Sequence, residues 1–416
     1  MNSPLSIETA QGQIRLMRLA ELRDCDGWQK ALRASTKDHR YYEIVAETLG
    51  FDCRAAVLED SAGVVRAVQP FFFAEQDLVV TAPRAVQLPV AWIRKVFPRF
   101  LRLKMLMVGC AAGEGRLGAE PEEQARTVET LREPLLRLAR AEGASIVVWK
   151  DFPAACRAPM AALTEGSRKT AHVQIPSMPA TSLTLDFKTF DEYVACRLSH
   201  AMRKNLRRKF KALAKAPPLE FSVTTDLGGD AEEALALYLQ VFQRSRLQFE
   251  KLNVLFLRRL TERMPERIRY FLWKQEGRLV AFSICLVHDG AIYDEYLGLD
   301  YRVALDLHLY FVTFRDIMSW ALEQGLKTYF STPLNYDPKF HLDFALAPLD
   351  LYFALPWPWL NALAPPIIRR MGPVSAEPIL ARFANAKSME PQKGNRAARD
   401  PVLEEQEEQL TLRRPG

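Results

Sequence analysis

The sequence predicts an α/β protein made of two halves that share one order of strands and helices. Between residues 14 and 149, strand-like apolar runs alternate with amphipathic helices, which is the pattern of a mixed sheet flanked by helices. A second series of the same kind follows between residues 182 and 353. The repeated order indicates a tandem duplication of one α/β unit, although no residue-level repeat is visible.

In the first half, short apolar runs bounded by turn residues predict the strands, and periodic runs predict the helices. Ala62-Gly63 predicts a hairpin turn between two of these strands. The predicted strands are residues 14–18, 54–58, 64–73, 104–108 and 145–149, and the predicted helices are residues 20–33 and 122–142.

A glycine-containing loop, GCAAGEGRLG at residues 109–118, separates a predicted strand from a predicted helix. Backbone amides in such a loop are able to hold a phosphate. The spacing of the glycines matches neither a Walker A motif nor a dinucleotide-binding fingerprint, so the loop alone does not identify a phosphate site.

The second half follows the same rules. Its last long helix is expected to end at Gly325, since glycine is the preferred residue just after a helix. The predicted strands are residues 182–186, 219–225, 270–275, 279–287, 291–297, 327–330 and 349–353, and the predicted helices are residues 190–214, 231–244 and 304–324.

These elements suggest a first domain at residues 1–180 and a second at residues 181–355, followed by two C-terminal segments. Residues 356–385 form a strap rich in proline and tryptophan, and residues 386–416 are polar enough to predict a disordered tail. Two interpretations of the strap stay open. Either it packs on the core, or its aromatic side chains rest at a membrane interface; the residues concerned are Trp357, Trp359, Arg369 and Arg370.

The composition of the 416 residues is that of a globular protein, with 49% apolar and 25% charged residues. Six cysteines lie far apart without a CxxC pair, which indicates free thiols in a reducing compartment and offers no metal-ligand spacing. The N-terminus does not resemble a signal peptide, and no run reaches the roughly 20 apolar residues that span a bilayer. We therefore expect a cytoplasmic protein without a bound metal.

The positive charge is concentrated in one place. The chain has 56 basic and 50 acidic residues, a net charge of +6. Without the eight cations of residues 197–215 the balance is 48 against 50, and that segment contains no acid. Helical spacing places four of them on one face, which predicts a contact with a local anionic ligand. These four are Arg197, Lys204, Arg208 and Lys211.

Two segments resemble a known superfamily. MRKNLRRKFK at residues 202–211 is similar to the RKN-x-RR signature of acyltransferases with the acetyltransferase (GNAT-like) fold, among them BioF2-like acetyltransferase domains and Fem-type aminoacyl transferases. Residues 295–344 resemble the family's run of strand, long helix ending in Gly325-Leu326, strand, and Tyr-x-x-Lys turn. The resemblance covers residues 12–355. Relatives commonly carry glycine shortly after the lysine of that turn, where this chain has Asp343.

The resemblance implies two tandem acetyltransferase-like domains, with acyl transfer to an amine in a cleft of the second domain where its central strands splay apart. Candidate proton acceptors there are Asp294, Glu295 and His308. Glu295 lies among apolar and aromatic residues, which tend to raise a carboxylate pKa towards that of a useful base. Tyr310 is a candidate proton donor to the leaving thiolate. The alternatives are a rim carboxylate paired with an arginine for Glu295, and core positions for His308 and Tyr310.

No permanently bound cofactor is expected; the acyl donor, acyl-CoA or acyl carrier protein, would be a co-substrate. The basic segment would meet the anionic arm of that donor or the acidic face of the carrier, through Arg203, Lys204, Arg207 and Arg208. Tyr336, Lys339 and His341 would orient an anionic group on the acceptor. The alternative for that loop is a structural turn fixed by its prolines.

The predicted function is N-acyl transfer to an amine acceptor, with a long-chain lipid amine, as in ceramide-type acylation, as one candidate. A Fem-type transferase that uses aminoacyl-tRNA on a peptidoglycan precursor is the second enzyme hypothesis, although the sequence shows no long coiled-coil insertion. The third is a non-catalytic module that binds an anion or a membrane surface. No DNA partner is expected, and peripheral contact with the inner membrane stays open.

Overall fold

Two mixed sheets flanked by helices make up the protein, and this confirms the predicted fold class. The computed structural model describes residues 5–9, 12–23, 25–77, 84–97, 100, 102–245, 248–370 and 372–391. The strands are β1 (Leu5–Thr9), β2 (Gly12–Arg18), β3 (Asp52–Glu59), β4 (Val65–Asp77), β5 (Arg102–Val108), β6 (Ile146–Pro153), β7 (Val173–Pro176), β8 (Ala180–Thr184), β9 (Glu220–Thr224), β10 (Ile268–Gln275), β11 (Arg278–His288), β12 (Ala291–Leu299), β13 (Thr328–Ser331), β14 (Ala345–Ala347) and β15 (Leu349–Ala354). The helices are α1 (Asp26–Ala31), α2 (His39–Thr48), α3 (Arg84–Ile93), α4 (Pro121–Ala141), α5 (Arg157–Thr164), α6 (Phe190–Arg197), α7 (His200–Leu213), α8 (Ala231–Arg244), α9 (Val254–Arg263), α10 (Leu309–Glu323), α11 (Tyr336–His341), α12 (Pro358–Leu363) and α13 (Pro365–Arg370).

The first sheet has the strand order β1-β2-β3-β4-β5-β6-β15-β7, and the second has the order β14-β8-β13-β12-β11-β10-β9. Most neighbours are antiparallel, but β5 with β6 and β12 with β13 are parallel pairs. β15 lies in the first sheet, where Phe353 faces both Val148 and Val173. The last strand of the predicted second domain thus belongs to the first sheet. The division into domains at residue 180 stays a prediction.

One hydrophobic core is shared by the two sheets. It joins residues of the first sheet and α2 to residues of the second sheet, α8 and α9. The outer face of the first sheet is covered by α4 and α5, and the outer face of the second sheet by α6, α7 and α10. The two sheets are therefore held together by burial of apolar surface between them, and side chains from both reach the space that separates them.

Three predicted helices differ from the structure. The predicted helix at residues 190–214 is two helices, since the chain turns at Leu198 and the Ser199 side chain caps α7 by accepting from the Met202 N–H at 3.2 Å. Arg197 therefore leaves the predicted basic face and pairs with Asp343 at 2.9 Å. The predicted helix at 304–324 begins later, at Leu309. Residues 20–33 form a short 3-10 turn followed by α1.

The described residues of the strap at 356–385 fold into short helices, and its C-terminal part is buried in the core of the second sheet through Leu380 and Phe383. Ala364 and Ile368 contact Val173 and Ile175 of β7. In the predicted tail, residues 386–391 are ordered and Met389 is buried, whereas residues 392–416 lie outside the described residues. Of the helices that the structure describes, none combines the length and the apolar character needed to cross a bilayer.

Candidate functional site

Glu295 is the extra residue of a β-bulge in β12. Tyr296 pairs with Ile284 and Asp294 pairs with Cys285, so Glu295 has no residue opposite it on β11. A bulge re-aims side chains and is frequent beside active sites. Asp294 consequently faces the outer core of the second sheet, and Glu295 and Tyr296 face the core between the sheets.

The parallel pair β12 and β13 separates just at this point. Its register ends at Asp294 opposite Ser331, whereas β12 continues beside β11 as far as Leu299. The edge of β12 beyond Asp294 is therefore open towards β13 among the described residues. This is the splay expected from the family resemblance, and Glu295 lies at its start.

Glu295 is paired with a lysine from the other half of the chain. Lys37 Nζ donates to Glu295 Oε2 at 2.8 Å, and each side chain is only 11% exposed. Residues 35 and 36, just before the lysine, are held by Arg267, whose Nη1 donates to their carbonyl oxygens at 2.6 and 2.8 Å. Side chains of the second half thus fix the segment that delivers Lys37.

Burial and the ion pair act in opposite directions on Glu295. Burial raises the pKa of Glu295 above its usual range, with Lys37 opposing this effect and Glu114 and Glu250 adding to it. For Lys37, burial alone would lower the pKa, but the Glu295 charge and hydrogen bond outweigh it and the pKa lies above its usual value. Lys37 therefore keeps its proton at neutral pH, and its ammonium favours the carboxylate form of Glu295 against the effect of burial.

A polar cage surrounds this pair. Lys37 Nζ lies 5.3 Å from the centre of the Tyr41 ring, and Tyr41 donates to the Ala112 carbonyl oxygen at 2.9 Å. Tyr296 donates to Glu250 Oε1 at 3.1 Å. Four acids or phenols therefore share the space between the sheets with the Lys37 ammonium, and each of the two phenols has an acceptor.

The loop at residues 109–118 lies against this cage. A Cβ atom on Gly113, whose φ is +147°, would come within 2.5 Å of Lys37 Nζ, so glycine is required for the lysine to fit. The amides of Gly109, Gly115 and Gly118 already donate to protein oxygens at 2.9–3.1 Å. This loop therefore provides space for the Lys37 side chain. The amides of these three glycines are already hydrogen-bonded and are not free to bind a phosphate.

Asp294 has hydroxyl partners in place of a cation. Ser283 Oγ donates to one carboxylate oxygen at 2.5 Å, and Tyr329 donates to the other at 2.8 Å. Burial raises the pKa of Asp294, and these hydrogen bonds oppose the rise. Tyr310 also lies within the field of this carboxylate, and burial raises its pKa, so the phenol stays protonated at neutral pH.

The predicted acceptor residues lie on α11, a short helix rather than a turn. Tyr336 and Lys339 point inward, the tyrosine donating to the Pro179 carbonyl oxygen at 2.8 Å and the lysine to the Thr332 carbonyl oxygen. Burial lowers the pKa of Lys339 to about 7, against the pull of Asp294. His341 is exposed, 3.8 Å from Asp337. Asp343 adopts a φ of +59°, in the region that favours the glycine of the family pattern.

His308 lies apart from Glu295, at the start of α10. It is partly exposed, and burial together with the charges of Lys209 and Arg208 lowers its pKa. Lys209 Nζ also lies 4.7 Å from the Phe311 ring centre. The end of α7 thus packs beside the N-terminal turn of α10, where the positive end of the helix dipole favours an anion. The amides of Leu309 and Phe311 in that turn already donate to the carbonyl oxygens of Ala304 and His308.

The four predicted donor-binding residues lie along α7. Lys204, Arg207 and Arg208 are exposed, and Arg203 is half-buried. Arg203 donates to the Ala195 carbonyl oxygen at 2.7 Å, and Arg208 to Asn205 Oδ1 at 3.3 Å. Within the described part of the chain, none of the four pairs with a carboxylate. Their charge is available to an external anion.

Comparison with known proteins bears on this half of the chain. The family model described as "Acetyltransferase (GNAT) domain" matches residues 200–337, which contain α7, the bulge at Glu295, the splayed strands and α10. The match covers about a third of the chain. No curated protein matches the sequence.

Solved structures resemble the chain at low identity. L-PGS from Bacillus licheniformis is 14% identical over 75% of this chain and 90% of its own, with a TM-score of 0.45. FemX is 10% identical over 84% and 93%, with a TM-score of 0.43. A tandem GNAT protein from the clavulanic acid biosynthesis pathway is 11% identical over 82% and 98%, with a TM-score of 0.44.

Sequence reasoning missed the partners of both carboxylates. Lys37 is 258 positions from Glu295, and nothing in its local sequence marks it. Ser283 and Tyr329 lie on the strands that flank β12 on either side. A register prediction for the three strands is the only pattern that would have placed them beside Asp294.

Proposed function

We propose that the chain is an N-acyltransferase that moves an acyl group from acyl-CoA or acyl carrier protein to an amine. The observation that carries this proposal is the position of Glu295. It is a nearly buried carboxylate at a bulge, beside a splay between parallel strands, within the GNAT domain. The rest of the proposal assigns roles to the groups around that splay.

Glu295 acts as the general base. It takes a proton from the neutral acceptor amine as the nitrogen lone pair attacks the thioester carbonyl carbon. The C–N bond forms, the C–S bond breaks, and the leaving thiolate takes a proton from Tyr310. The proton held by Glu295 then returns through solvent to the Tyr310 phenolate. Glu295 and Tyr310 reach the splay from different faces of β12, so the thioester would lie between them.

The donor binds where α7 meets the start of α10. Exposed cations of α7 and the N-terminal turn of a 15-residue helix, α10, lie together there. Two features of this place favour the pyrophosphate of a coenzyme or the phosphate of a carrier arm. The guanidinium groups bind phosphate oxygens, and the positive end of the helix dipole attracts negative charge. Arg203, Lys204, Arg207 and Arg208 supply the charge.

The acceptor is an amine with an apolar body. Leu305 is exposed at the start of the α10 region, and Tyr310 and Phe311 are half-buried in the first turn of the helix. Apolar side chains beside the splay favour a long-chain amine over a small polar one. Tyr336 and Lys339 are buried and hold the loop after β13, whereas exposed His341 remains a candidate contact to the acceptor.

An aminoacyl-tRNA donor is the competing function, and one observation favours it. The exposed cations of α7 lack acidic neighbours among the described residues, and such a stripe also suits an RNA backbone. The two donors differ in salt dependence, because an RNA contact releases many more counterions than one coenzyme does.

The test follows thiol release from acetyl-CoA, long-chain acyl-CoA and acyl carrier protein, with small and long-chain amines as acceptors. We expect turnover with a thioester and a long-chain amine, and a loss of about 10²–10⁴ in kcat/KM for Glu295→Gln. Glu323→Gln, at an exposed carboxylate of α10, is the matched control. In Glu295→Gln the buried Lys37 has no counter-charge, which would disturb folding. The double variant Lys37→Met/Glu295→Gln removes both charges, and we expect it to be folded and inactive.

Turnover of every thioester at background rate, together with amide formation from aminoacyl-tRNA, would replace this proposal by the second function. Full activity of Glu295→Gln would leave the acyl transfer standing and remove Glu295 as its base.

A further inference from the structure

Large hydrophobic side chains that are exposed to solvent are concentrated in two segments of the described chain. Of the fourteen large hydrophobic residues that are exposed in the described chain, ten lie in residues 88–100 and 357–367. Trp92 is 74% exposed and Trp359 is 65% exposed. The ten are Leu88, Trp92, Ile93, Val96, Phe97, Phe100, Trp357, Trp359, Leu363 and Ile367. Single exposed apolar residues are common on proteins, but a concentration of this kind marks an interaction surface.

Strand register places the two segments at the same end of the first sheet. Asp77, the last residue of β4, faces Arg102, the first residue of β5. β5 and β6 begin side by side, with Met105 opposite Ile146. β15 ends opposite the start of β6, with Ala354 facing Val147. The α3 segment and the strap therefore leave one edge of the sheet, with only β6 between their strands, about 10 Å apart.

The strap is held so that its apolar side faces outward. Asn361 is buried, and its amide group accepts from Leu355 N–H at 2.8 Å and donates to the carbonyl oxygens of Arg168 and Ala171. Ala364 and Ile368 pack against β7. Trp359, Leu363 and Ile367, spaced four residues apart, remain in solvent. An anchored inner side with an apolar outer side is a fixed surface rather than a loose loop.

The charges within these two stretches of sequence are all basic, while Asp77 lies opposite Arg102 and Glu142 lies 3.6 Å from Lys104. Residues 78–113 contain six basic residues and no acid, and residues 351–376 contain two arginines and no acid. Lys95 Nζ lies 5.9 Å from the Trp92 ring centre, and Arg94 Nε donates to the Phe100 carbonyl oxygen at 2.9 Å. Cations are thus interleaved with aromatic rings on the same surface, and Arg369 is exposed beside Ile367.

We infer that this end of the first sheet is a docking surface for an anionic phospholipid bilayer, with residues 88–100 and 357–367 resting in the headgroup region. Tryptophan is favoured at that depth because its ring is apolar and its N–H is polar. Basic side chains add attraction to anionic lipids. Two copies of the chain meeting through this surface would bring like charges together, so the charge favours a lipid partner over self-association.

The inference rests on surface residues outside residues 200–337, and it does not depend on the proposed reaction. If the reaction is also correct, the membrane is the place where a long-chain amine is found. A protein that binds vesicles without turning over thioesters would keep the docking surface and lose only the proposed function.

The test is co-sedimentation of the full chain with vesicles of phosphatidylcholine alone or mixed with phosphatidylglycerol. We expect binding to the mixed vesicles that weakens with added salt, and at least about tenfold weaker binding for the double variant Trp92→Ser/Trp359→Ser. Val64→Ser/Leu255→Ser, at two exposed apolar residues outside both segments, is the matched control. Thermal unfolding of both variants should match the parent, since the four side chains are exposed.

Three results would overturn the inference. They are the absence of binding to mixed vesicles at low salt, equal binding by the tryptophan and control variants, and a dimer in solution that the tryptophan variant alone dissociates. The last result would assign the surface to a second copy of the chain.

Discussion

Asp294 and Glu295 are neighbours in the chain, yet the fold gives them opposite surroundings. Asp294 lies in the outer core of the second sheet, and its carboxylate accepts hydrogen bonds from the hydroxyls of Ser283 and Tyr329. Glu295 lies between the two sheets and is neutralised by the ammonium of Lys37. The ordinary pleat of the strand turns Asp294 and Glu295 to opposite faces, and the β-bulge keeps Glu295 and Tyr296 together on the face between the sheets.

The difference teaches how one strand carries two kinds of carboxylate. Hydroxyls stabilise a carboxylate through directed hydrogen bonds and keep it in a fixed place. A single ammonium stabilises the ionised form through its charge and leaves oxygen lone pairs for a substrate proton. Asp294 therefore suits a structural role beside the splay, and Glu295 suits proton transfer.

The largest expected effect concerns stability. Glu295→Gln leaves the Lys37 ammonium nearly buried without a counter-charge, which costs about 3–5 kcal/mol of unfolding free energy. Asp294→Asn keeps an acceptor for one hydroxyl and should cost about 1–3 kcal/mol. Urea unfolding of both variants at neutral pH measures the contrast.

The double variant Lys37→Met/Glu295→Gln is the control for this contrast. It removes both charges and should recover most of the stability that Glu295→Gln loses. Equal losses of unfolding free energy for Glu295→Gln and Asp294→Asn would contradict this prediction. They would mean that breaking the ion pair between the sheets costs no more than disturbing the hydroxyl hydrogen bonds of Asp294.

The second effect concerns the pH dependence of turnover. Lys37 lowers the pKa of Glu295 against the effect of burial, so Lys37→Met should raise that pKa further. A protonated Glu295 is no longer a base, so the acidic limb of the kcat/KM profile should move to higher pH.

Lys150→Met is the matched control for charge in the same region. Lys150 donates to the Gly113 carbonyl oxygen at 2.9 Å and pairs with Asp151 at 2.7 Å, not with Glu295. Its removal should move the limb less. An acidic limb that stays in place in Lys37→Met would show that another group sets it.

The third effect concerns Lys339, on the Asp294 side. Its pKa is lowered by burial to about 7 from an ordinary 10.5, so the unfolded chain binds more protons than the folded chain between these values. Stability should therefore rise with pH across this window, by up to about 1.4 kcal/mol per pH unit. Lys339→Met removes this contribution, and its advantage over the parent should shrink from pH 7 towards pH 10.

Urea unfolding at several pH values in this window provides the measurement, with the exposed Lys327→Met as control. Parallel stability curves for the parent and Lys339→Met would contradict a buried, deprotonated lysine.

The local pattern of the sequence predicted most of the strands but fewer than half of the thirteen described α-helices, and it identified Glu295 as an acid among apolar residues. Its errors are instructive. The break at Leu198 was missed because apolar periodicity continues through it, and only the cap made by Ser199 marks the new helix. The helices α2 and α9 were not predicted, although the packing of each against the other builds the core between the sheets.

The sequence by itself determined the two α/β halves, the basic element at α7 and the carboxylate on β12, because each depends on residues within one or two turns or strands. Only the tertiary structure decided what those residues meet. Lys37 pairs with Glu295, which is 258 positions away in the chain. The two exposed apolar segments lie at the same end of the first sheet because β15 is inserted beside β6. Such contacts depend on strand register and sheet packing, which local periodicity does not encode.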